Sequence, residues 1–76
     1  MKDLIGKIVT ALVDYPEDVK ISEINGEKTV VYELRVNPND VGKVIGKKGR
    51  TINAIRTVMK AITVKEDKKF MLELLQ

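Results

Sequence analysis

Residues 44–52 read Val44-Ile45-Gly46-Lys47-Lys48-Gly49-Arg50-Thr51-Ile52, with two glycines three apart, lysines between them and aliphatic residues on both flanks. Glycine accepts backbone angles closed to other residues, so a segment bounded by Gly46 and Gly49 turns sharply, and the missing Cβ atoms let another backbone come close. The aliphatic residues on either side recur with the helical period. Val41, Val44 and Ile45 give a short helix one apolar side before the turn. Ile52, Ile55, Met59 and Ile62, supported by Val58, form a second stripe that predicts a helix over 50–62. Gly46 is expected to end the first helix as its left-handed C-terminal cap. The turn then feeds the N-terminus of the second helix, where unpaired N–H groups and the helix dipole favour an anion. A Gly-x-x-Gly step alone is an ordinary corner between helices; its surroundings give it more content.

Upstream, Asn37-Pro38-Asn39-Asp40 opens the first of these helices, with Asn37 as N-cap, Pro38 at the first helical position and Asp40 complementing the dipole. Before it, Val30, Tyr32, Leu34 and Val36 alternate and predict a strand over 28–36. Residues 17–24 read as a partner strand, joined to it by Asn25-Gly26, a strong hairpin signal because both residues tolerate positive φ. A two-residue turn there pairs Ile24 with Glu27, and sets Ile21 opposite Val30 and Val19 opposite Tyr32. The apolar faces of the two strands then coincide, as a half-buried sheet requires. Leu4, Ile5, Ile8, Val9 and Leu12 predict an amphipathic helix over 2–13, stopped at Asp14-Tyr15-Pro16. Downstream, Val64 to Lys68 is a polar connection, and Phe70, Leu72 and Leu74 alternate to make a last strand at 69–75. The element order is α-β-β-α-α-β. It predicts an α+β fold, a single domain over residues 1–76, with a three-stranded mixed sheet and helices on one face.

The chain has 76 residues, room for one small core. It contains no Cys and no His, which removes disulfides, thiolate metal sites, the commonest metal ligand and the commonest general base. No metal and no cofactor are expected. Ser22 is the only serine, and no nucleophile–base pair suggests itself, so the chain is not read as an enzyme. The nucleotide-loop pattern GxxxxGK[ST] does not fit: Gly42 to Gly46 is one residue short, and Gly49 follows Lys48. No run approaches the roughly 18 apolar residues of a membrane span, no signal-peptide pattern opens the chain, and a cytoplasmic location is expected.

Charge is unevenly distributed. Residues 1–40 carry five bases against eight acids, whereas residues 41–76 carry nine bases against three acids. No acid lies between Asp40 and Glu66, a stretch holding Lys43, Lys47, Lys48, Arg50, Arg56, Lys60 and Lys65. Such a block concentrates positive potential and suits a polyanionic partner; a solvated, solubilising face is the plainer reading of the same charges.

With these residues in view, VIGKKGRTI resembles the VIGxxGxxI signature of the KH RNA-binding domain, and the α-β-β-α-α-β order resembles the type II KH topology. The resemblance covers essentially the whole chain, and VGKVIGKKGRTINAIR in a free-standing domain of this length is similar to the small bacterial KhpA family. It implies a cytoplasmic protein that binds single-stranded RNA and acts in post-transcriptional regulation as an RNA chaperone. It also implies a partner, as a homodimer or with a second KH-containing protein. The short, partly acidic connection at Glu66-Asp67 departs from the family's variable loop.

A KH turn clamps the backbone of about four nucleotides. Carried over here, Gly46, Lys47, Lys48 and Gly49 hold phosphates, with Lys43 and Arg50 as flanking contacts. Gly42 is a place where a base or backbone approaches. The bases would lie in an apolar groove walled by the paired helices on one side and by the last strand with the 64–68 connection on the other. Arg56 reads equally as a rim contact or a solvated charge. Val44 and Ile45 read first as core, with the groove wall as the second reading of Ile45, while Ile52 reads as core, groove or interface. Tyr32 and Phe70 look like core, so a stacking platform of aromatic rings is not expected. The alternative function is a KH-fold interaction or dimerisation module with little RNA binding of its own. The assembly surface is expected around the start of the second helix, at Ile52 with Thr51 and Asn53.

Overall fold

The computed structural model of the protein describes residues 1–75. The first helix, α1, spans Lys2–Leu12 and buries Ile5 and Val9, which fall on one face of the helical period. A 3-10 turn at Pro16–Asp18 follows. Strand β1 (Lys20–Asn25) pairs antiparallel with β2 (Thr29–Arg35), and β2 pairs parallel with β3 (Lys69–Leu74), so the mixed sheet has the order β1-β2-β3. Between β2 and β3 lie a 3-10 turn at Pro38–Asp40, the short helix α2 (Val41–Ile45), the glycine turn, and α3 (Arg50–Ile62). The α+β fold and the element order agree with the sequence reading.

The core lies on one side of the sheet. Val30, Tyr32 and Leu34 of β2 and Leu72 of β3 are buried with Ile5, Val9, Val44, Ile52, Ile55 and Met59 from the three helices. Cross-strand partners share a face, so the row Ile24, Val31 and Met71 lies on the opposite, open face. Ile24 and Met71 are exposed there.

The hairpin register differs from the expected one. Ile21 pairs with Leu34, Glu23 with Tyr32 and Asn25 with Val30, while Gly26 N–H donates to the Thr29 carbonyl at 2.7 Å. The reversal is therefore at Glu27-Lys28 and not at Asn25-Gly26. Neither Asn25 nor Gly26 takes the positive φ that the expected turn requires. The 3-10 turn at Pro16–Asp18 delays β1 to Lys20, and Ile21 is then the first residue able to cover Leu34. The shift is even, so every side chain keeps its face.

Two further expectations are revised. Asn37 does cap its turn, its side chain accepting from Asn39 N–H at 2.8 Å, but what it caps is the 3-10 turn, and α2 is only five residues long. Ile62 is 55% exposed, outside the core its stripe predicted.

Candidate nucleic-acid interface

The turn between α2 and α3 contains three residues with positive φ. Gly46 has φ 76° and ψ 168°, Lys48 has φ 57° and ψ 25°, and Gly49 has φ 75° and ψ 13°. The left-handed helical conformation thus falls on Lys48 and Gly49, while Gly46 combines positive φ with an extended ψ instead of acting as the expected left-handed cap. Lys48 is the one non-glycine residue with positive φ among the described residues. That conformation costs an L-residue about 1–2 kcal/mol. Gly46 is sterically required: a Cβ there would overlap the Thr51 hydroxyl and lie 2.8 Å from the Thr51 backbone nitrogen.

The turn presents Lys47 and Lys48 exposed at its tip, and α3 begins directly behind them. No side chain caps that helix end, and its first turn contains no acid. The N–H groups of Gly49 and Arg50 donate to the Gly46 and Lys47 carbonyls, and the positive end of the helix dipole behind them favours an anion. Arg50, also exposed, extends the positive surface.

Lys43, expected as a flanking phosphate contact, is exposed and forms an ion pair. Its Nζ pairs with the Asp14 carboxylate and lies 3.8 Å from Oδ1 of Asp40. The hydrogen bond to Asp14 holds its pKa above the ordinary lysine value, with the charges of Asp14 and Asp40 adding to the effect against some desolvation. Asp40 is fully buried, and its two oxygens accept from the backbone N–H groups of Asp14 and Tyr15, each at 3.0 Å. It thus ties the end of α1 to the start of α2. Lys43 belongs to this latch, and its charge is already matched. Gly42 is exposed and faces open space, where an added Cβ would meet nothing within 4 Å.

Ile45 is half-buried, whereas Ile52 is only 6% exposed and packs in the core with Val44. The assembly surface expected around Ile52 is therefore occupied by the protein's own core.

A groove of about 510 Å³ runs between α3 and β3, lined among others by Asn53, Arg56, Thr57, Phe70 and Leu72. Its volume is in the usual range for a bound small organic group, roughly 300–1,000 Å³. Arg56 crosses it, with Nε and Nη2 donating to the Leu72 carbonyl at 3.2 and 2.9 Å and Nη1 reaching Asn53 Oδ1 at 3.4 Å. Asn53 continues the surface back to the turn, since its Nδ2 would sit 3.4 Å from a Cβ at Gly49. Lys60 and Lys69 also line the groove. The structure therefore brings Gly46 to Arg50 and Arg56 onto one continuous surface, engages Lys43 with Asp14, and places Ile52 in the core. Asn53, Lys60 and Lys69 were missed as site residues. For Asn53 and Lys60 the signal was their spacing along α3 about Arg56, which puts them on one helix face.

No helix is long and apolar enough to cross a membrane, and no group of three His, Cys, Asp or Glu is placed to hold a metal ion, among the described residues.

Comparison with known proteins gives a family-wide match. The model of the KhpA/KhpB KH domain matches residues 2–74. Similar proteins include the RNA-binding protein KhpA of Clostridium perfringens, 52% identical over 75 residues, 99% of this chain and 100% of the relative. The RNA-binding protein KhpA of Aquifex aeolicus is 49% identical over 76 residues, 100% of this chain and 96% of the relative. The RNA-binding protein KhpA of Chlamydia trachomatis is 45% identical, covering 100% of this chain and 97% of the relative. No solved structure matches the chain.

Proposed function

Because the chain belongs to the KhpA/KhpB family of KH domains, we propose that it binds single-stranded RNA through the Gly46-Lys47-Lys48-Gly49 turn, with the bases in the groove between α3 and β3. It is a binding protein and not an enzyme. The observation that carries the reading is the pair of exposed lysines at the mouth of an uncapped helix N-terminus. Phosphates gain both the point charges and the positive end of the helix dipole there, as a sequence-independent clamp requires. Arg50 adds to the clamp. Gly42, an open glycine on α2, leaves room for the RNA backbone beside Ile45.

Contact over about four nucleotides makes the clamp weak by itself. A second site on the same RNA, supplied by another copy or by another KH-containing protein, raises the effective concentration. The protein then acts in the cytoplasm, as an RNA chaperone in post-transcriptional regulation. The test is Lys47→Asp with Lys48→Asp. These exposed loop charges contribute little to stability, so the fold is expected to survive while RNA binding is lost. Unchanged affinity in the folded double variant would refute the assignment.

A second reading, an interaction module with little RNA binding, is favoured by one observation. Val58 and Ile62, one turn apart on α3, are 42% and 55% exposed, and Val64 beyond them is 76% exposed. In an RNA-binding protein the same residues serve as the partner contact.

A further inference from the structure

We propose that the Arg56 guanidinium is the stacking platform on which a base of the bound RNA rests. The proposal rests on the RNA-binding reading and adds to it the way a base is held in the groove. Single-stranded RNA is commonly held by stacking bases on aromatic rings or on arginine planes. Aromatic faces are scarce here. Tyr32 is 3% exposed in the core, Phe70 lines the groove but is partly buried against the core, and Tyr15 lies in the loop after α1. Arg56 is exposed and lines the groove.

The geometry of Arg56 is that of a fixed plane. Two of its nitrogens, Nε and Nη2, converge on one carbonyl oxygen, that of Leu72, and Nη1 is directed to Asn53. All three contacts use N–H groups, which point outward along the edges of the guanidinium, so its faces take no hydrogen bond and are what remains to meet a ligand. The anchor is stable for a reason set by the sheet. Lys69 N–H and Leu75 N–H donate into β2, so by alternation the Leu72 backbone points to the free edge of β3. Its carbonyl has no strand partner and takes Arg56 instead.

The partners of Arg56 are neutral, and it makes no salt bridge among the described residues. It therefore has no ion-pair partner, with Glu73 the one acid lining the groove, and a cationic plane is attracted to a π face. Lysine, a point charge on a flexible stem, does not reproduce this arrangement.

The experiment uses the full chain and the pentaribonucleotide UUAUU, followed by NMR and by a binding titration at several salt concentrations. In the wild type, the Arg56 Nε–H and δ-proton resonances are expected to move upfield on binding, from the ring current of the stacked base. Arg56→Lys, folded by circular dichroism, is expected to bind roughly tenfold more weakly. Its slope of log K against log salt stays unchanged. Had Arg56 been a phosphate contact, Arg56→Lys would retain its affinity, and Arg56→Ala would flatten the salt slope by about 0.7. Either result overturns the proposal, as does the absence of an upfield shift in the wild type, which needs no variant. Binding with no Arg56 response refutes the platform alone; no binding of any RNA by the wild type refutes the RNA-binding reading as well.

Discussion

An added Cβ at Gly46 would lie 2.8 Å from the Thr51 backbone nitrogen, whereas one at Gly49 would meet nothing closer than Asn53 Nδ2 at 3.4 Å. The two glycines of the turn are therefore not equivalent. Both have positive φ, but only Gly46 is also sterically closed. Gly46→Ala is expected to destabilise the fold by about 2–4 kcal/mol, the sum of backbone strain and overpacking. Gly49→Ala is expected to cost only about 1–2 kcal/mol. Urea titration of the two variants checks the ranking, and equal losses would contradict it. Lys48 presents the opposite case. It carries charge at a left-handed position, so Lys48→Gly is expected to relieve strain while weakening RNA binding. The gain is about 0.5–1 kcal/mol, because the added freedom of the unfolded chain offsets part of it.

The junction of α1 and α2 rests on a buried carboxylate. Asp40 accepts two backbone N–H groups from the segment that follows α1, and Lys43 closes the arrangement onto Asp14. Hydrogen bonds to a charged group contribute about 1.5–3 kcal/mol each, and losing them leaves two part-buried backbone donors without their acceptor. Asp40→Ala is expected to lower stability by about 3 kcal/mol or more, and Asp40→Asn by less, in denaturant unfolding. An Ala variant as stable as the wild type would show that the latch is idle. The same element scale explains the hairpin. Alternation assigned Ile21, Val30, Tyr32 and Leu34 to one face, which holds in either register. The offset depended on where the Pro16–Asp18 turn lets β1 begin, and nothing in the strand residues encodes that.

Across the whole molecule, basic residues gather in the C-terminal half, where the glycine turn, α3 and β3 lie. RNA affinity is expected to fall with salt, by about 0.7 log units per log salt for each phosphate contact. An affinity indifferent to salt would contradict a phosphate clamp. Assembly belongs to this scale too. Ile52 is no test of it, because aspartate at a residue 6% exposed in the core would unfold the protein. Ile62, 55% exposed on α3, is the informative position. If the wild type self-associates through this end of α3, Ile62→Asp is expected to be monomeric by light scattering while keeping its thermal midpoint. A variant as associated as the wild type would place the contact elsewhere.

The element order, the α+β class, the faces of the strands and the glycine turn were legible in the sequence, because periodicity and backbone permissiveness are local properties. Even the boundaries of α3 followed from its apolar stripe. Three things were decided only by tertiary structure. Lys43 reads as a free cation until folding brings Asp14, 29 residues away, against it. Ile62 continues the stripe of α3, yet the small core ends before it, so it is exposed. Arg56 reads equally as a solvated charge until the parallel pairing of β2 and β3 turns the Leu72 carbonyl to a free edge across the groove. For Lys43 and Arg56 the partner is distant in sequence, and an ionic or hydrogen-bonding group carries no periodic signal of what it will meet; for Ile62 the helical period carries no signal of where the core ends.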